Sequence, residues 1–400
     1  MTVAKPVGLL MAVLCAMPAN ASGAGWARSV AESAVQEVVE SAAPRHADLT
    51  LADEPLARIG IVDGPLEYVF GNVTGAVRLE DGSVVVADEQ SRNVRRYDAN
   101  GQHLWTSGRQ GDGPGEYQGL RLLRNCAGAG ITVFDWILRR ITELDPEGNV
   151  VDTRALNSAG VNPYGEPACS ADDRLVFMPW PEDRGRDRTV GESYRWLVSL
   201  RHALGNSVTI LRSGIPGTER TRYSEISDGP ADWGRTMVYA AVNTGVWYGT
   251  ADDYELEHLD WTGRATRITR WAGPSLEVTR DRMDSYRDNY WLARYDDPDA
   301  RRDFERESWP DIRDRLPERF PAYEALLALP DGGIWVKAHP WRAPGEELHL
   351  LEANGAWLRR LTLPGGSVLL DAGRDWVLLL QRDELDVPTV AVYELVESVR

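Results

Sequence analysis

Ser83-Val84-Val85-Val86-Ala87-Asp88 leading to Val94-Arg95-Arg96-Tyr97-Asp98-Ala99-Asn100-Gly101, and Gly130-Ile131-Thr132-Val133-Phe134-Asp135 leading to Ile141-Thr142-Glu143-Leu144-Asp145-Pro146-Glu147-Gly148, are the stretches that decide the fold. They align without a gap, residue 83 on residue 130, an offset of 47. Each is a β-rich run ending in Asp, a short polar link, a second run with apolar residues at alternate positions, and an Asp-x-x-Gly turn. Period-two alternation bounded by turn residues predicts strand, loop, strand and hairpin.

Weaker copies follow at similar spacing. Arg174–Met178 is expected to pair with Trp196–Leu200, Gly245–Gly249 with Glu255–Asp260, Gly333–Lys337 with Leu348–Glu352, and Trp376–Leu380 with Thr389–Tyr393. A repeat of about 40–50 residues carrying four short strands is the pattern of propeller blades. The expected fold is therefore all-β, a six-bladed β-propeller over residues 57–398. The last unit stops after three strands, and Ala57–Val62 is expected to supply its outer strand, which would leave no open sheet edge. Residues 22–56 read as an N-terminal linker. Between the fourth and fifth units, residues 274–321 break the pattern. Met283, Tyr286, Tyr290 and Trp291 fall at helical spacing, and Asp297-Pro298 reads as an N-cap and first-turn proline opening a second helix that stops near Pro310.

Val86-Ala87-Asp88 through Asn93–Asp98, with Gly108-Arg109-Gln110-Gly111-Asp112-Gly113-Pro114-Gly115-Glu116-Tyr117 behind it, resembles NHL-type repeats. Residues 57–396 look like the secreted bacterial six-bladed propellers that carry this repeat in degenerate form, including Arg382–Val387 before the last strand. That resemblance implies a fold and an exported location but no activity, because fold does not fix function. Units three and four depart from the pattern.

With each blade's strands lettered A to D from the central channel outward, Cys126 and Cys169 both end A strands of consecutive blades. They are close enough to form a disulfide and equally compatible with two buried thiols.

The chain opens with Lys5, an apolar stretch Val7–Met17 and Pro18-Ala19-Asn20-Ala21, which read as a signal peptide over residues 1–21. A periplasmic or extracellular location is expected, with lipid attachment at Cys15 disfavoured by the bulky Leu14 before it. No run of about 20 apolar residues follows, so no membrane span is expected. The formal net charge is −17, and −18 once Lys5 leaves with the signal, which excludes a basic footprint for nucleic acid.

B-to-C loops and blade-to-blade connections emerge on one face of such a disc. The candidate ligand-binding residues are taken from that face: Trp136, Trp180, Trp341, Arg342 and Arg382, beside the helical insertion. Tryptophans there offer stacking for a sugar ring or a partner side chain, or pack against the insertion. Trp247, Trp335 and Trp376 lie inside strand runs and read as core, and the repeated Asp88 and Asp135 read as turn residues. No nucleophile elbow, His-Glu-x-x-His, phosphate loop or calcium loop is present, and the six histidines show no metal-ligand spacing. No catalytic residue, metal ligand or cofactor is assigned. The expected function is a monomeric binding or interaction module for a protein, small molecule or carbohydrate. A lactonase- or lyase-like enzyme with a Ca²⁺ or other divalent cation in the channel is the alternative, and a structural envelope component the third.

Overall fold

The computed structural model describes residues 37–124, 126, 130–156, 161, 163–180, 189–222, 228–231, 233–339 and 346–398. The expected signal peptide lies outside them.

The fold is all-β. Sheet I runs Val73–Arg78, Val84–Asp88, Asn93–Tyr97, His103–Ser107, every neighbour antiparallel. Sheet II repeats it with Leu120–Leu123, Ile131–Asp135, Arg140–Leu144 and Val150–Ala155. Sheet III holds Ala168–Cys169, Leu175–Phe177, the long hairpin Ser193–Leu204 and Ser207–Arg222, and Asp228–Pro230. Sheet IV holds Val238–Val242, Gly245–Gly249, Glu255–Leu259 and Ala265–Trp271. Sheet V holds Tyr323–Ala328, Ile334–Ala338, Glu347–Leu351 and Trp357–Thr362. Sheet VI holds Val368–Ala372, Trp376–Arg382 and Pro388–Glu397, and takes Ala57–Ile59 as its fourth strand, Ile59 opposite Val390.

A separate apolar core fills each gap between consecutive sheets. Val85 and Val94 of sheet I meet Leu122 and Val133 of sheet II, and Trp335 and Leu350 of sheet V meet Val377 and Leu379 of sheet VI. Val84 and Val86 of sheet I meet Leu378 and Val392 of sheet VI, so the succession returns to its start. A strand covered on both faces reads as an unbroken apolar run rather than an alternating one. Val84–Asp88 and Ile131–Asp135 are buried at every residue for this reason. The Asp-x-x-Gly turns work as local devices. Asp98 Oδ1 accepts from the amides of Asn100 and Gln102, and Gly101 takes φ +83°, a conformation open to glycine without a Cβ penalty.

Five sheets pair as the sequence predicts, and sheet III departs. Leu175, Val176 and Phe177 oppose Ala203, His202 and Arg201, not Trp196–Leu200. The partner strand is twelve residues long, so its alternation alone leaves the register open. The linker expectation for 22–56 also changes. Glu37–Ser41 pairs in parallel with Ala265–Trp271, and Leu49–Leu51 lies between the outer strand of sheet V (Leu49 opposite Leu361) and Leu395–Glu397 of sheet VI, so this segment covers the outer edge of sheet IV and bridges sheets V and VI.

Between sheets IV and V lie three helices: α1 (Arg280–Tyr286), running on through a π turn to Arg294, α2 (Pro298–Glu307) and α3 (Trp309–Arg313). Asp297 caps α2 by accepting from the Asp299 amide. Helical structure resumes through Pro310, where a stop was expected, because a proline in a first turn lacks only an amide that has no helical partner. Tyr286, Phe304, Trp309 and Ile312 form a local core with Trp233 and Phe320. Among the described residues no helix is long and apolar enough to cross a membrane.

Candidate functional site

Of the expected site residues, Trp136, Trp180 and Arg382 fall at the end of the sheets that carries the B-to-C loops. Trp136 follows the second strand of sheet II, is 51% exposed, and donates from Nε1 to Glu89 Oε1 at 3.2 Å. Trp180 is 39% exposed and sets an edge against Tyr164, ring centroids 4.8 Å apart. Arg382 ends a strand and donates to the Asp386 carbonyl across its own hairpin turn. Trp341 and Arg342 lie outside the described residues. Trp136 and Trp180 thus rest on different neighbours.

Among the described residues, Glu89, Asp252 and Asp253 on this face are already answered. Glu89 takes Asn72, Arg92, Arg121 and Trp136. Asp252 is shared by Arg195 and Arg235 at 2.8–2.9 Å, and Asp253 is held by Arg319. Asp88 and Asp135 act as turn residues. Asp88 accepts from the amides of Gly71, Asn72 and Gln90, and Asp135 from Gln118, Gly119, Ile137 and Leu138, each pinning the loop before the A strand to the loop after the B strand. Glu166, in the connection from sheet II to sheet III, reaches solvent but is crowded by protein, and that burial pushes its carboxyl up to about 7.

At the opposite end, the A-to-B turns of all the sheets surround a cavity of about 850 Å³. Arg78 (sheet I), Arg124 (II), Ser170 (III), Val242 (IV), Leu329 (V) and Trp376 (VI) face it. A disulfide joins Cys126 to Cys169 at its wall, between sheets II and III. Beneath it Arg124 pairs with Asp371, whose side chain is 2% exposed against 17% for Arg124. Asp371 also accepts from the Arg78 amide at 2.7 Å through Oδ2 and from the Ala372 amide at 2.7 Å through Oδ1. Arg124 Nη2 donates to the Ala372 carbonyl as well. Burial raises the Asp371 carboxyl against the pull of Arg124 and lowers Arg124 itself, so each charge depends on the other.

Trp376 is a correction. Trp247 and Trp335 are buried as expected, but Trp376 opens its strand at the cavity mouth and carries the Arg78 guanidinium 4.9 Å from its ring centroid. Sequence reasoning missed Arg78, Arg124 and Asp371. The available signal was an arginine at or just past the end of the A strand in two successive repeats.

A divalent cation does not fit this mouth. Both Asp371 oxygens are engaged, and the ion would sit against two guanidinium groups. Among the described residues no three of His, Cys, Asp and Glu converge in a metal-binding group. A second cavity of about 620 Å³ lies between Pro44, Pro274, Ser285 and His349. Its histidine offers no base, since Nδ1 accepts from Trp271 Nε1 at 2.7 Å and Nε2 bonds Glu347 at 2.6 Å.

No family model matches the chain, and no curated protein matches it. Among solved structures it is similar to a protein from Bacteroides fragilis described as exported, at 11% identity over 90% of this chain and 99% of that one, TM-score 0.48. A member of the DUF4221 family from Bacteroides vulgatus gives 11% identity over 88% and 100%, TM-score 0.49. The calcium-binding protein regucalcin from Agrobacterium tumefaciens gives 10% over 88% and 96%, TM-score 0.38. At such identities and scores these likenesses bring no residue role to this chain.

Proposed function

We propose that this protein is exported, that its six sheets are the blades of one closed β-propeller with degenerate NHL-like repeats and a helical insertion, and that it acts as a binding module. The binding site in this proposal is the channel mouth ringed by the A-to-B turns. The observation that carries it is a cavity of ligand size on which every sheet converges, with polar groups at its wall and apolar side chains around them. The leader-like residues 1–21 and the disulfide support export. The six inter-sheet cores support closure.

A ligand-observed NMR fragment screen tests the site. Hits on the native chain should be lost in Ala171→Trp, which adds bulk at an exposed turn residue lining the cavity. Hits that survive the substitution place binding elsewhere. A second reading, a surface for a protein or carbohydrate on the B-to-C loop face, is favoured by the half-exposed Trp136. Unchanged partner capture by a Trp136, Trp180, Trp341 triple alanine variant removes it.

A further inference from the structure

The channel mouth holds a guanidinium that no described residue meets at ion-pair distance, Asp371 reaching it only through its longer-range field. Arg78 stacks on Trp376, its Nε is buried with no acceptor, and it forms no ion pair or side-chain hydrogen bond with any described residue. Its charged neighbours are paired among themselves. Arg96 is held by Asp81, Arg374 by Asp331, and Arg124 by Asp371, with Arg124 Nη1 also buried and unpartnered. Glu80 reaches the cavity only from its exposed rim. In a chain of formal charge −17, an arginine without an ion pair against a concave wall is out of keeping with its surroundings.

We infer that this cavity takes a small monocarboxylate with an apolar body, its carboxylate on Arg78 and its body against Trp376, Val242 and Leu329. The inference rests on the channel-mouth reading above and names its ligand class. The guanidinium lies over the indole, 4.9 Å from the ring centroid, and its planar fork of donors suits two carboxylate oxygens. Arg124, also on the cavity wall, adds positive field while its own guanidinium is held by Asp371. Asp371 cancels one of the two arginine charges, so the inner wall has one positive charge to be answered, which matches a monoanion. Val242, Leu329 and Ala372 line the remainder and suit an apolar body.

The test is calorimetric titration of the whole chain with benzoate and phenylacetate, their neutral amides, and inorganic phosphate. Both carboxylates should bind at least about tenfold more tightly than the amides, the weight of one charge-assisted hydrogen bond. Arg78→Gln should remove that preference while leaving the melting temperature and the amides' affinity unchanged, and Arg78→Lys should restore part of it. Equal affinity for acids and amides, an unaffected Arg78→Gln variant, or no binding of either carboxylate overturns the inference. Phosphate binding as tightly as benzoate overturns the apolar body. Fragments that bind without acid preference and are displaced by Ala171→Trp keep the channel-mouth site and reject only this ligand class.

Discussion

The two ends of the axis differ in how their charges are settled. On the B-to-C loop face, Glu89, Asp252 and Asp253 each meet one or more arginines, and the exposed tryptophans lean on those clusters or on other rings. At the A-to-B turns Arg78 forms no ion pair with any described residue and Arg124 has a spare donor. Abundance of polar and aromatic residues therefore does not mark the stronger site. An unmatched group in a concave wall does, because a ligand gains most where the protein has not already satisfied its own donors.

The contrast can be broken most directly through Asp371. Asp371→Ala would leave Arg124 buried without its partner, and a loss of about 3–5 kcal/mol is expected in urea unfolding. Asp252→Ala, at a carboxylate 35% exposed, should cost only about 1 kcal/mol. Equal losses would show that the two ends are held in the same way.

The disulfide sharpens the comparison next. It closes 43 residues of chain beside the cavity, and its removal by Cys126→Ser with Cys169→Ser should cost about 4 kcal/mol on the chain-entropy account. Unreduced peptide mapping should show Cys126 joined to Cys169, and two alkylatable thiols would contradict the bridge.

Protonation should weaken both ends. His258, held between Thr244 and Thr266, and His339, on the loop side beside Lys337, are each lowered to about 4, chiefly by burial. A folded value below the unfolded value of about 6.5 means that the folded state resists the proton. This contribution is complete above pH 6.5, is lost as pH falls towards 4, and amounts to at most about 3 kcal/mol for each ring. Stability measured from pH 7 to pH 4 should fall, and His339→Gln should flatten part of the slope. A slope that is unchanged removes His339 from this account.

Much of the fold was legible because its signals are local. The buried run Val84–Asp88, the alternation of Asn93–Tyr97 and the glycine of each Asp-x-x-Gly turn fix a hairpin without reference to distant chain. Sheet III escaped because a twelve-residue alternating strand admits several registers. The segment 37–51 escaped because strands this short gain their meaning only from the edges they cover. Trp136 and Trp180 are exposed on their B-to-C loops, but the loop sequence could not show that the acids near them were already paired.

By itself, then, the sequence determined an all-β repeat, its turn chemistry, the helical interruption and a pair of cysteines at equivalent positions, since each is written in residues near one another. The tertiary structure alone decided that Arg78, Arg124, Asp371 and Trp376 line one cavity and that Arg78 forms no ion pair there. Residues 78 and 371 lie almost 300 positions apart. Whether a charge is answered depends on every element packed around it, and only the closed arrangement of sheets brings those elements together.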